Sequence, residues 1–122
     1  MTAHQLCRDY ERVYRDVYVR RGTKITARIR ALAAAEYAGP DAVLVGKSAA
    51  AMHNSEWLSP DDPAEVVRRT NCRAPAGMVL RRYALDPGEI CRRAGVAVTT
   101  PARTGFDLGR SLERDDAVVA LD

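Results

Sequence analysis

The run Val96-Ala97-Val98-Thr99-Thr100-Pro101-Ala102-Arg103 constrains the fold more than any other stretch, because it asks the backbone for two conformations in succession. Val96 and Val98 alternate with small or polar neighbours, the period of a half-buried strand. Thr100 offers a hydroxyl that can cap a helix, and Pro101 stands at the first helical position, where a missing N–H costs nothing. A strand delivering straight into a helix is therefore expected. Within that helix Ala102, Phe106 and Gly109 fall on one face. Arg103 and Asp107, four apart, are spaced for a structural ion pair between strand and helix.

Residues Tyr10 to Val19 are rich in Val and Tyr, with Arg15-Asp16 between two short runs. Asp accepts the left-handed backbone of a tight turn, so this stretch is expected to be a β-hairpin. The alanine-rich segment Ile25 to Tyr37 predicts a helix, capped by Thr23 or Thr26 and ended by Gly39-Pro40, with Ile25, Ile29, Leu32 and Ala33 facing a sheet. Ala42 to Val45 reads as a brief strand and Ser48 to His53 as a short helix. Trp57, in the loop that ends at Pro63, is expected to plug the core. Ala64 to Arg68, Gly77 to Arg82, Glu89 to Arg93 and the strand at Val96 to Val98 have the spacing of a meander, and Glu113 to Asp122 reads as a final helix. The class predicted is α+β: an N-terminal hairpin arm over residues 1–22, then a domain over 23–122 whose small, mostly antiparallel sheet is closed by C-terminal helices.

An apolar fraction of 47% suits a globular chain. No apolar run approaches the roughly 18 residues that cross a bilayer, and the N-terminus lacks the pattern of a secretory signal, so a cytoplasmic location without membrane association is expected. Cys7, Cys72 and Cys91 are odd in number and in no CxxC arrangement, which predicts reduced, at least partly buried thiols rather than disulfides or a zinc site. The net charge of +3 is unevenly placed. Arg8, Arg12, Arg15, Arg20, Arg21, Lys24, Arg28 and Arg30 crowd the first thirty residues against Asp9, Glu11 and Asp16. Such an end is either a phosphate-facing surface or a solvated arm.

Three motifs suggest chemistry and fail on spacing. Gly46-Lys47-Ser48 ends like a phosphate-binding loop, but Asp41 occupies the place of its first glycine, and a helix start capped by Ser48 is the simpler reading. Asp61 and Glu65 lack the strand-borne geometry and neighbouring Lys of a magnesium nuclease, and Asp61-Asp62 between prolines is turn chemistry. Ser48, His53 and Asp61 have no nucleophile-elbow glycines, and His53 suits a partly buried helix end. No catalytic residues, metal site or cofactor are expected.

Val98-Thr99-Thr100-Pro101-Ala102-Arg103-Thr104-Gly105-Phe106-Asp107-Leu108 resembles the Val-Thr-Ser/Thr-Pro-x-Arg-Thr-x-x-Asp-Leu signature of the AbiEi family, antitoxins of type IV toxin-antitoxin systems. Arg12-Val13-Tyr14-Arg15-Asp16-Val17-Tyr18 is similar to the wing of that family's winged helix-turn-helix, with Asp16 where Gly is usual. Leu44 to His53 is similar to its small-residue Ser-Ala-Ala-x-x-His helix. The resemblance implies a non-enzymatic antitoxin and transcriptional regulator, with promoter DNA and a cognate nucleotidyltransferase toxin as partners. It places nucleic-acid contacts on Arg12, Arg15, Arg20, Arg21 and Lys24, and a structural motif on Thr100, Pro101, Arg103 and Asp107. Too few residues precede the hairpin to hold a recognition helix, and no nuclease domain of the kind carried by actinobacterial relatives follows, so the chain is expected to be a shortened member. The alternatives are the remnant scaffold of a very-short-patch-repair-like endonuclease, and a protein-interaction module.

Overall fold

The computed structural model describes residues 2–68 and 73–110. The expected helix from Glu113 and the thiol of Cys72 lie outside them. The arm expected over residues 1–22 holds, as well as a hairpin, a helix, α1 (Ala3–Asp9). Its signal is a capping box: Gln5 N–H donates to Thr2 Oγ1 at 3.2 Å, and Thr2 N–H to Gln5 Oε1 at 2.9 Å. Strands β1 (Tyr10–Tyr14) and β2 (Val17–Arg20) form the expected antiparallel hairpin, and Asp16 turns it at φ 62°.

The hairpin is docked on α2 (Ala27–Ala38) through Tyr14, which is buried in the core, lies 5.7 Å ring to ring from Tyr37, and donates its hydroxyl to the Gly77 carbonyl. Thr26 caps α2, accepting from Ile29 N–H at 3.1 Å, and Gly39 ends it at φ 93°. The buried face of α2 is Ala31, Ala33, Ala34 and Ala38, while Ile25, Ile29 and Leu32 are only half-buried. That corrects the expected isoleucine-leucine face. Helix α2 packs against both the sheet and α3 (Gly46–Met52), whose Ala49, Ala50 and Ala51 are buried in turn. At so close an approach methyl groups fill the gap, and the larger side chains are left at its margins.

Strands β3 (Val43–Leu44), β4 (Ala64–Val67), β5 (Met78–Arg81), β6 (Ile90–Arg93) and β7 (Val96–Thr99) form one sheet in the order β5-β4-β3-β7-β6. The α+β class with an N-terminal antiparallel hairpin holds, but the meander does not. β3 with β4 and β6 with β7 are antiparallel, whereas β3 with β7 and β4 with β5 are parallel. The two-residue β3 sits at the centre because Leu44, like its neighbours Val66 and Val98, is almost wholly buried. Each such side chain contributes about 1.5–3 kcal/mol. Every second residue, Leu44, Ala64, Val66, Met78 and Val98, joins the α2 side, and the row between them includes Val43, Glu65, Val67 and Thr99.

After β7 the chain becomes helical over residues 101–110, here α4. Thr100 caps it as expected: Arg103 N–H reaches Thr100 Oγ1 at 3.3 Å, and Thr104 N–H the Thr100 carbonyl at 2.8 Å. The face that carries Ala102 and Phe106 is not the one it buries. Phe106 is 57% exposed, Ala102 is exposed, and Thr104 is buried. Trp57 is 64% exposed and plugs nothing, since it stands on an irregular loop rather than on an element facing the core. Cys7, on the all-exposed side of α1, is exposed, against expectation, while Cys91 is half-buried as expected.

Candidate nucleic-acid interface

The hairpin's register sorts its side chains into two rows. Tyr10 pairs with Arg20 and Arg12 with Tyr18, so these four share one face. The register then shifts between Arg12 and Tyr14, a bulge that inserts Val13. Its effect is to send both Val13 and Tyr14 toward the core, with Val17 beside them, and to leave Arg12 and Tyr18 in the outward row. Arg15 stands exposed in the turn, and Lys24 just beyond the ribbon.

The crowd of N-terminal cations divides sharply. Arg21 gathers the carbonyls of Cys7, Arg8 and Tyr10, closing the C-terminal end of α1 against the hairpin. Although it belongs to the set expected to contact nucleic acid, its guanidinium is engaged here. Arg28 donates to the Met52 carbonyl at the end of α3, and Arg30 to the Pro60 carbonyl at 2.6 Å. Arg8 pairs with Asp9. The side chains of Arg12, Arg15, Arg20 and Lys24 have no hydrogen bond or ion pair among the described residues, and all four residues are exposed. The basic end therefore presents four free cations.

A second polar cluster surrounds the strand-to-helix junction. Arg103 Nη1 meets Glu89 Oε2 at 2.8 Å and its Nε meets Asp107 Oδ1 at 3.0 Å, with only 16% of the Arg103 side chain exposed. The expected i,i+4 pair is thus present, and Glu89 from the turn before β6 completes it. The guanidinium also stacks 5.0 Å from the centre of the Tyr83 ring and 5.6 Å from that of Phe106, and Tyr83 donates its hydroxyl to Asp107 Oδ2 at 3.2 Å. Hydrogen bonding to Arg103 holds the Glu89 carboxyl below its ordinary range. Burial, reinforced by the Asp107 charge, pushes the Tyr83 hydroxyl up to about 12. The Glu89 hydrogen bond in turn raises the guanidinium of Arg103. Beneath them Thr99 and Thr104 share a buried hydroxyl contact of 2.7 Å. These are groups held in fixed charge states, which suits a brace.

The remaining sequence motifs are likewise absorbed by structure. Gly46 adopts φ 54°, and a Cβ there would lie 2.4 Å from the Glu65 carboxylate. Glu65 Oε2 accepts from Lys47 N–H at 2.7 Å, in the position an anion would take, while Oε1 pairs with Arg81 at 2.7 Å. Helix α3 is therefore capped by Glu65, and Ser48 is not its cap: its hydroxyl accepts from Glu65 N–H at 2.9 Å. His53, half-buried at the end of α3 as expected, donates from Nε2 to the Thr99 carbonyl at 2.7 Å, and its Nδ1 is buried without a partner. Ser48 and His53 thus serve different backbone groups.

No family model, curated protein or solved structure matches the chain. Among the described residues no three of His, Cys, Asp and Glu gather closely enough to hold a metal ion, and no helix is long and apolar enough to cross a membrane. Sequence reasoning missed Tyr83 and Glu89 and weighed Glu65 only as a metal ligand, because their partners, Asp107, Arg103, Lys47 and Arg81, are brought to them by other elements. It named Arg12, Arg15, Arg20 and Lys24 as a charge cluster without the register that places Arg12 and Arg20 side by side with two tyrosines.

Proposed function

We propose that the chain is a non-enzymatic, AbiEi-like antitoxin and regulator domain that holds DNA weakly through its hairpin. The observation that carries this reading is the contrast within one basic segment: Arg12, Arg15, Arg20 and Lys24 are exposed and unpaired while their neighbours are engaged. Cations without partners are available to phosphate, and contacts of that kind carry no base information. The strand-to-helix segment at Thr100, Pro101, Arg103 and Asp107 serves the scaffold in this reading. A cognate nucleotidyltransferase toxin is the proposed protein partner. Relief by this chain of the toxicity of such an enzyme, encoded beside it, is the corresponding test.

For DNA the test is an electrophoretic shift with duplex across a salt series. Four phosphate contacts give a slope of about −3.6 in log affinity against log salt. Binding should be independent of sequence and disappear in the variant with all four cations changed to Ala. No shift at low salt, or a shift that survives those changes, would remove the DNA part of the proposal. Trp57 and Phe106, 64% and 57% exposed, favour a second reading as a protein-interaction module. A second chain whose binding is lost in W57A and F106A, with DNA binding absent, would select it.

A further inference from the structure

The outward row of the hairpin carries rings as well as charge. Tyr10 lies across from Arg20 and Tyr18 across from Arg12, so ring and guanidinium alternate both along each strand and between strands. Each tyrosine has an arginine directly across the ribbon, with Cβ atoms about 4.5–5.5 Å apart, and another two residues along its own strand, about 7 Å away along the backbone. The two rings occupy a diagonal, roughly 7–8 Å apart. Tyr18 is 38% exposed and Tyr10 half-buried, and neither ring makes a ring contact or hydrogen bond among the described residues. Glu11, the acidic residue of β1, falls in the opposite row, across from Val19.

We propose that this face is a stacking platform for single-stranded nucleic acid, with bases laid on Tyr10 and Tyr18 and the flanking phosphates held by Arg12 and Arg20. The proposal rests on the nucleic-acid reading above and narrows it. In a duplex the base faces are covered by one another, so a duplex engages the two arginines and leaves both rings idle. A single strand offers phosphate and an open base face together, and covering an exposed ring with a base removes apolar surface from water as well as adding stacking. The shared chemistry is an unpaired base next to a phosphate, which single-stranded DNA and RNA both supply.

Fluorescence anisotropy with labelled oligo-dT, oligo-U and a duplex of equal length, at one low salt concentration, tests it on the full chain. Both single strands are expected to bind more tightly than the duplex, and the order of oligo-dT and oligo-U identifies the source of the strand. Tyr18→Ala should weaken single-strand binding roughly five- to a hundredfold and leave duplex binding unchanged, whereas Tyr18→Phe, which keeps the ring, should retain it. Arg12→Ala should weaken both. Duplex binding as tight as single-strand binding, with Tyr18→Ala silent or acting equally on both, would overturn the platform while leaving the DNA reading intact. Failure of every oligonucleotide to bind would overturn both.

Discussion

Arg103 and Arg12 are the same side chain in opposite circumstances. Arg103 lies between two carboxylates and two rings, with 16% of its side chain exposed, and its Nε and Nη1 donors each have a carboxylate receiver. Arg12 stands on a ribbon with no receiver among the described residues. The first arrangement is stable because each charge that left water found a partner in the same small space. The second leaves its charge in water, with no partner among the described residues. Within a chain this rich in arginine, composition alone cannot separate a braced guanidinium from an unpaired one, and the fold does.

The sharpest way to break the comparison is to attack the paired side. Gly46→Ala places a Cβ on the Glu65 carboxylate and forces a left-handed backbone on a residue that resists it. A loss of about 3 kcal/mol is expected in urea unfolding. Arg103→Ala strips Asp107 of its ion pair and uncovers Tyr83, and should cost about 2 kcal/mol by the same measurement. The matching change on the free side, Arg12→Ala with Arg20→Ala, should leave stability within about 0.5 kcal/mol. It should lower duplex affinity at low salt and reduce the salt slope by about two.

Titration sharpens the same contrast with smaller effects. Tyr83 is raised from 10.0 to about 12, so its neutral form is favoured in the fold. The stability it contributes is fully present below pH 10 and is lost as pH rises toward 12. Phenolate absorbance should show a late ionisation near pH 12 that Tyr83→Phe removes. Glu89 is shifted the other way. Its contribution is present above its ordinary value of 4.5 and is lost as pH falls through its lower folded-state value. Glu89→Gln should flatten that acid limb, whereas Arg12→Ala should leave both limbs where they are.

Local signals were legible in the sequence and long-range ones were not. The Asp16 turn, the Thr26 and Thr100 caps and the Arg103–Asp107 pair follow from spacings of four residues or fewer, the hairpin follows from the two β-rich runs beside that turn, and the structure contains them all. The capping box of Thr2 and Gln5 had an equally local signal and was overlooked. Strand order was beyond reach, because regular spacing fits a meander as well as it fits the order β5-β4-β3-β7-β6. The α2 face went wrong because hydrophobicity ranked Ile above Ala, whereas packing against α3 selects by size. At the candidate site the cations could be named from sequence. Which of them are free depended on carbonyls that only the fold brings near, those of Cys7, Met52 and Pro60 among them.

The two-residue strand β3 gives the sheet its weakest line at its middle. On one side β4 and β5 hold each other over four register positions, and on the other β6 and β7 do the same, while Leu44 alone is aligned with both Val66 and Val98. Besides β3, α3 holds the two halves together, joined to Glu65 of β4 through Ser48 and to Thr99 of β7 through His53.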